Sequence, residues 1–164
     1  MSTTSASARI KALSNHLSVP PQHSTSTPSM STEKKPPITC HVLDTTLGRP
    51  GPNIPVTLTL HPATAANAES PTKFSGLTNT DGRVVSWTPS SPFSSASLEE
   101  VFKQEGDQKY TLSFDTEAYF GERGVKTFFP EVEVKFLVRQ EAKGEHYHVP
   151  VLLGPFGYTT YRGS

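Results

Sequence analysis

The alternation of charged and apolar side chains in EVEVKFLVRQ, residues 131–140, constrains this chain more than any other feature. Four apolar side chains recur there at every second position: Val132, Val134, Phe136 and Val138. Successive side chains of a β-strand point to opposite faces of its sheet, so these four share one face and the charged residues share the other. IPVTLTL, residues 54–60, alternates in the same way. Both segments therefore predict strands with one buried and one solvated face.

Five further segments predict strands from their β-branched and apolar content: ITCHVLD (38–44), KFSGLTNTDGRVVSW (73–87), KYTLSFDT (109–116), HYHVPVLL (146–153) and GYTTYRG (157–163). The second of these contains Asp81-Gly82, a dipeptide typical of tight hairpin turns. Seven or eight short strands with little helix predict an all-β fold, an antiparallel β-sandwich.

Only two segments predict helices, and both are short. SLEEVFKQ, residues 97–104, offers Ser97 as the N-cap and Glu100 as the second member of a capping box. TEAYFGERG, residues 116–124, ends at Gly124, a residue suited to stopping a helix.

The composition changes near residue 38. Residues 1–37 contain one acidic residue, Glu33, and many Pro, Ser and Thr residues. Such a segment buries too little apolar surface to offset the entropy lost on ordering. The sequence therefore predicts a disordered N-terminal tail over 1–37 and one domain over 38–164.

The tail contains a segment that resembles a targeting signal, RIKALSNHL, residues 9–17. Arg9, Ile10, His16 and Leu17 fit the pattern of the type 2 peroxisomal targeting signal, which an import receptor reads. The alternatives are a mitochondrial presequence, because the first 32 residues carry no acidic side chain, and a cytoplasmic location. We expect the peroxisome.

Charge and cysteine content exclude several classes of partner. The chain has 15 basic and 15 acidic residues, so no net charge favours nucleic acid or an anionic membrane. No apolar run approaches the roughly 20 residues that cross a bilayer. A single cysteine, Cys40, excludes an intrachain disulfide and is typical of a reducing compartment.

Three histidines and an arginine in the predicted strands could carry chemistry. His41 lies in the middle of its strand, Arg83 follows the Asp81-Gly82 turn, and His146 and His148 share one face of another strand. Taken singly, each is more often an ordinary surface residue. Two histidines at this spacing can bind zinc with His41 as a third ligand, but no cysteine pair or carboxylate completes the set. We therefore expect no metal.

The motifs ITCHVLDTTLGRPGPNIPVTL, DGRV and HYHVPVLLGPFGYTTYRGS resemble those of the transthyretin-related 5-hydroxyisourate hydrolases of urate degradation. The resemblance runs in order over residues 38–164. Its most specific part is the Tyr-Arg-Gly-Ser segment, residues 161–164, which distinguishes these hydrolases from transthyretin, the hormone carrier on the same fold.

The resemblance implies a transthyretin-like sandwich of about eight strands with one short helix, assembled as a homotetramer, a dimer of dimers. It implies that 5-hydroxyisourate is opened at its cyclic amide to 2-oxo-4-hydroxy-4-carboxy-5-ureidoimidazoline, without a cofactor. The catalytic residues it implies are His41, Arg83, His148 and Ser164. The substrate-binding residues are His41, Arg83, Tyr161 and Ser164.

The chemistry of these side chains suits an amide hydrolysis. Histidine can accept a proton near neutral pH, and the arginine fork can hold a developing oxyanion. Which histidine is the base stays open, as does whether Ser164 acts through its hydroxyl or a terminal carboxylate. His146 is expected behind or at the rim of the site. The alternative function is a carrier that binds a small hydrophobic ligand in the tetramer channel.

Overall fold

The computed structural model describes residues 35–63, 70–91 and 96–164. The targeting-like segment 9–17 and nearly all of the predicted tail lie outside the described residues, so those two predictions stay predictions. None of the helices in the described ranges is long and apolar enough to cross a membrane.

The described residues form ten strands in two five-stranded sheets. The first sheet holds β1 (Ile38–Asp44), β2 (Arg49–Pro50), β5 (Arg83–Val84), β9 (Tyr147–Gly154) and β10 (Gly157–Thr160). The second holds β3 (Pro55–His61), β4 (Thr72–Leu77), β6 (Thr88–Pro89), β7 (Gln108–Asp115) and β8 (Glu131–Val138). The predicted β-sandwich is confirmed, and the strand number exceeds eight because β2, β5 and β6 are each two residues long.

One strand pair of the first sheet departs from the antiparallel arrangement that the sequence predicts. The strand order of this sheet is β10-β9-β1-β2, with β5 also pairing β1, and β1 runs parallel to β9. The other strand pairs are antiparallel. Parallel neighbours need a long crossover connection. Here the second sheet lies between β1 and β9 in the sequence, and it provides that connection.

The core fills the space between the two sheets, and the alternation in the sequence places its side chains. In and beside β3, Ile54, Val56 and Leu58 are buried as predicted. In β8, Val132 and Val138 are buried at the two ends, while Val134 and Phe136 pack half-buried against the core. Removing these side chains from water is the main term that holds the two sheets together.

Both predicted helices form, one more than the resemblance implied. The first, α1 (Leu98–Phe102), has Ser97 as its N-cap with a complete capping box to Glu100. The second, α2 (Thr116–Gly121), is capped by Asp115. A short 3-10 turn, Gln140–Ala142, precedes β9.

A buried carboxylate at the end of β1 ties that strand to the chain segment around α2. Asp44 accepts hydrogen bonds from the Tyr119 hydroxyl at 2.8 Å, from Arg123 at 2.6 Å, and from the amide and hydroxyl of Thr46. Burial by itself would raise the pKa of Asp44, but these hydrogen bonds outweigh burial and lower the pKa. The strand that carries His41 is thus fixed at one end by a buried carboxylate whose two oxygens both accept hydrogen bonds.

Candidate active site

The pairing of β1 with β5 brings two of the predicted polar residues together on the outer face of the first sheet. His41 lies directly opposite Arg83 in the antiparallel pairing of β1 with β5. Residues opposite each other across two strands have Cβ atoms about 5 Å apart. The short strand β5 therefore places the arginine beside the histidine.

A tight turn holds Arg83 in this place. The Asn79 side chain accepts hydrogen bonds from the backbone amides of Asp81 and Arg83, at 3.0 and 2.9 Å. Gly82 has φ +71°, and a Cβ there would lie 2.4 Å from the Val42 carbonyl oxygen. Only glycine permits the turn to pack this closely on β1, so the Asp81-Gly82 signal in the sequence corresponds to a turn that positions Arg83.

β9 supplies the second histidine. His148 is paired in register with Thr39 of β1, and the ring centroids of His148 and His41 are 6.3 Å apart. Both rings are half-buried. The parallel pairing of β1 with β9 thus brings together two histidines that are far apart in the sequence.

The last residues of the chain fold back over His148. The Gly163 amide donates to the His148 carbonyl oxygen at 2.8 Å. A Cβ on Gly163 would lie 2.7 Å from the Cδ2 atom of His148, closer than a side chain can approach. Arg162 forms an ion pair with Glu145 and stacks over the Tyr147 ring at 5.2 Å. Ser164 follows Gly163 directly in the chain and is exposed.

The surroundings of the two histidines lower the pKa of both rings and so favour their uncharged form. Burial is the largest cause that lowers the pKa of His148, and the positive charge of Arg83 lowers it further. Burial and Arg83 likewise lower the pKa of His41, against a smaller opposing effect of the Asp81 backbone. An uncharged imidazole has one nitrogen that accepts a proton and one that donates, so both rings are ready for proton transfer.

The remaining predicted residues lie around this centre. Tyr161 is 59% exposed and lines, together with His148, a cavity of about 350 Å³ that neither His41 nor Arg83 lines. His146 is exposed, with its ring centroid 6.4 Å from that of His148. Within the described ranges, no group of three or more His, Cys, Asp or Glu side chains is arranged to hold a metal ion.

Two residues beside the histidines were not predicted as site residues from the sequence. Thr39 hydrogen-bonds to both His146 and His148, and Gly163 makes the close approach to His148. Thr39 could have been found from the strand alternation, because it lies two positions before His41 and shares its face. No local pattern in the sequence indicates the contact of Gly163 with β9; only the resemblance, which implies Ser164 as a catalytic residue, indicated that the last residues return to this site.

The two packed sheets and a histidine pair beside an arginine define a β-sandwich protein with a polar site on the outer face of one sheet. The model of the HIUase/Transthyretin family matches residues 38–163, and the chain belongs to that family.

Two curated relatives cover most of the chain. The chain is 40% identical over 134 residues to the probable 5-hydroxyisourate hydrolase of Schizosaccharomyces pombe. The aligned region covers 79% of this chain and 92% of that protein. The chain is also 40% identical over 137 residues to the 5-hydroxyisourate hydrolase of Mus musculus, with an aligned region that covers 82% of this chain and all of that protein.

The solved structures that match this fold include both a hydrolase and a transthyretin. The 5-hydroxyisourate hydrolase of Klebsiella pneumoniae matches with a TM-score of 0.51 and 26% identity, over 77% of this chain and 92% of that one. Sea bream transthyretin in complex with thyroxine matches with a TM-score of 0.58 and 26% identity, over 77% and 94%. The fold therefore serves both a hydrolase and a thyroxine-binding protein, and the site residues must decide between them.

Proposed function

We propose that this chain is a hydrolase that opens the cyclic amide of 5-hydroxyisourate in urate degradation. The observation that carries the proposal is the geometry of two histidines, His41 and His148, beside the permanently charged Arg83 on one sheet face. The relatives from Schizosaccharomyces pombe and Mus musculus, which both span most of this chain, are named as a probable 5-hydroxyisourate hydrolase and a 5-hydroxyisourate hydrolase, respectively.

The reaction needs two proton transfers and one site for negative charge. A water oxygen bonds to the ring carbonyl carbon, the ring C–N bond breaks, and the nitrogen takes up a proton. The new carboxyl group loses a proton near neutral pH. His41 and His148 share the transfers to and from water and nitrogen, a contribution of about 10²- to 10⁴-fold in rate.

Arg83 stabilises the charge that forms on the carbonyl oxygen. Its guanidinium group is planar and always charged, so it presents donors to an oxyanion without needing to gain a proton. One such donor typically contributes on the order of 10²- to 10³-fold. Ser164 and Tyr161 lie in the segment that folds over His148, where they would orient the water and bind the substrate ring.

The carrier function is the less favoured candidate. A pocket for a small hydrophobic ligand is mainly apolar, with few polar groups. His41, His148, Thr39 and Arg83 make this face polar and reactive. Thyroxine competition in the hydrolysis assay separates the two: a hydrolase site turns over substrate, whereas a carrier binds thyroxine without catalysis.

We also propose that the chain works as a homotetramer, a dimer of dimers. The histidine pair lies on an outer sheet face, and apolar side chains remain exposed near it, among them Leu152 of β9 and Tyr161. A second copy across this face would enclose the site and exclude water from it. Native mass spectrometry tests this, and a monomer at assay concentration with full activity would contradict it.

The segment 9–17 supports peroxisomal delivery by an import receptor. The test is to fuse residues 1–20 to a fluorescent protein and observe it in cells with labelled peroxisomes. We expect punctate co-localisation that is lost when His16 and Leu17 are replaced. A diffuse signal from the unaltered fusion would contradict the proposal.

The experiment that tests the main proposal is an absorbance assay in which urate and urate oxidase generate the substrate in place. We expect this protein to speed the disappearance of the 5-hydroxyisourate absorbance. Decay at the uncatalysed rate, with protein shown to be folded by circular dichroism, would refute it. Activity that survives exhaustive chelation is expected, and loss reversed by zinc would revive a metal site.

A further inference from the structure

A shared hydroxyl group connects two of the three histidines of this face. We propose that Thr39 is a positioning residue for His148: its hydroxyl holds the His148 ring in the tautomer that carries hydrogen on Nε2, and His146 directs that hydroxyl. The kinetic consequence rests on the proposed function, whereas the tautomer can be measured without any reaction.

The geometry puts one oxygen between two rings. The Thr39 Oγ1 atom lies 2.9 Å from Nδ1 of His148 and 2.9 Å from Nε2 of His146. The parallel register of β1 and β9 places Thr39 directly opposite His148. Thr39 is only 7% exposed, so water cannot easily replace either bond. Its branched side chain is also stiff about χ1, which fixes the direction of the hydroxyl.

Counting the hydrogens couples the two rings. A hydroxyl has one hydrogen to donate, so it can donate to only one of the two imidazole nitrogens. The other ring nitrogen must then carry a hydrogen and donate to Oγ1. Because the hydroxyl oxygen can also accept two hydrogen bonds, three neutral arrangements keep both bonds. In the first, both rings carry their hydrogen on Nε2; in the second, both carry it on Nδ1; in the third, Nε2–H of His146 and Nδ1–H of His148 both donate to Oγ1.

The first arrangement is favoured because an isolated neutral imidazole side chain is more stable with its hydrogen on Nε2. In that arrangement the exposed His146 donates from Nε2 to Oγ1, and the Thr39 hydroxyl donates to Nδ1 of His148. The second arrangement would put both rings in the less stable tautomer. The third would put His148 in that tautomer and leave the hydroxyl hydrogen without a ring nitrogen to accept it. The hydrogen bond that one ring nitrogen makes decides the proton on the other.

This bond has a consequence for the reaction. With Nδ1 occupied by Thr39, His148 presents Nε2–H as its only free ring position, and the ring cannot flip without breaking the bond. His148 is therefore pre-set to donate a hydrogen bond to the substrate. His41 lies outside the hydrogen-bonded group of Thr39, His146 and His148 and is left to accept a proton from water.

The tautomer is tested by NMR on the full chain labelled with ¹⁵N in the histidine rings. The pH is set well above the ordinary histidine pKa, and His148→Ala identifies the His148 signals. We expect a bare, hydrogen-bonded Nδ1 and a protonated Nε2. In Thr39→Val, which keeps the shape but removes the hydroxyl, the Nδ1 signal should move toward that of a free nitrogen. Thr39→Ser should restore the original position.

The kinetic arm uses the same variants. Thr39→Val should lower kcat by about tenfold, the rate equivalent of one hydrogen bond, with a smaller change in KM. Thr39→Ser should recover most of that loss. His146→Ala should lower kcat less than Thr39→Val, because the Thr39 hydroxyl can still donate to His148.

The control variant comes from the other sheet. Thr111 is buried and its hydroxyl bonds to Nε2 of His61 at 2.7 Å, so Thr111→Val loses a similar bond away from the site. We expect Thr111→Val to keep wild-type kcat and the wild-type His148 signals. Comparable thermal unfolding of the two valine variants shows that loss of folding is not the cause.

Either arm can overturn the proposal. A hydrogen on Nδ1 of His148 in the wild-type protein would contradict the tautomer. His148 signals that do not differ between wild type and Thr39→Val would contradict the hydrogen bond. A folded Thr39→Val with wild-type kcat would contradict the positioning role. If the wild-type protein were inactive on 5-hydroxyisourate, the proposed function would fail while the NMR result still judged the tautomer.

Discussion

The two sheets each carry a threonine hydroxyl bonded to a histidine ring, and one of these pairs lies in the candidate site, beside a second histidine and an arginine. In the first sheet Thr39 bonds to His148 at 2.9 Å, and in the second Thr111 bonds to His61 at 2.7 Å. Burial is the main cause that lowers the pKa of both His148 and His61. By local chemistry alone, the pairs are nearly equivalent.

Their neighbours make the difference. Around His148, three strands and the end of the chain bring in His41, Arg83, His146 and Gly163. The charges that affect the pKa of His61 come from Lys135, Lys109 and Glu133, and their effects partly oppose one another. A histidine bonded to a threonine thus occurs in both sheets, whereas a second histidine and an arginine on the same face require a particular strand order.

The largest expected effect separates the two histidine environments directly. His41→Ala or His148→Ala should lower kcat/KM by about 10²- to 10⁴-fold, because each removes a group that moves a proton. His61→Ala is the matched control and should keep wild-type activity. The absorbance assay measures all three. Near wild-type turnover by either site variant, or an equal loss in His61→Ala, would erase the distinction between the two faces.

The next prediction concerns the arginine that the second sheet lacks. Arg83→Lys retains the positive charge but loses the planar fork, so kcat should fall on the order of 10²-fold. Steady-state kinetics at saturating substrate measure this. An Arg83→Lys enzyme with wild-type kcat would show that charge alone suffices and that no directed donors are needed.

The third prediction tests the last residues of the chain, which fold back over His148 through Gly163. Gly163→Ala places a methyl group where only 2.7 Å separates it from the His148 ring. Displacing that ring should cost about tenfold to a hundredfold in kcat/KM. Gly157→Ala is the control, since a Cβ there meets nothing within 4 Å. Both variants should unfold at a similar temperature, and equal activities of the two would mean that Gly163 does not set the position of His148.

Several strands, one helix and one turn could be predicted from the sequence because they depend on local patterns. The period-two alternation placed β3 and β8, and the Ser97 and Glu100 pattern placed α1 with its capping box. Asp81-Gly82 identified the turn before Arg83. Each of these signals lies within a few residues of the feature that it predicts, so tertiary packing does not need to be known.

What could not be predicted depends on contacts between distant residues. The parallel register of β1 with β9 decides that Thr39, rather than Cys40, lies opposite His148. The salt bridge of Asp44 with Arg123 joins residues that are 79 positions apart in the sequence. Resemblance to a known family supplied the site residues, but it gave neither this register nor the hydrogen bond that the register creates.

The smallest expected effect lies in the pH dependence. The acid limb of kcat/KM reports the histidine that accepts the proton in the free enzyme. The pKa values of both candidates lie below the ordinary 6.5, so the choice between His41 and His148 does not affect the sign. For His148 the groups responsible after burial are all cationic or can become so: Arg83, His41, His146 and Lys35.

A lowered pKa means that less than half of the accepting histidine is protonated at pH 6.5. Activity at that pH should therefore exceed half of the plateau reached at higher pH, a loss of less than about twofold. A pH profile of kcat/KM, corrected for spontaneous decay of the substrate, measures it. A midpoint at or above 6.5 would mean that neither burial nor Arg83 governs the accepting ring. The accepting ring would then be surrounded by water like an exposed histidine, unlike the half-buried ring of His148.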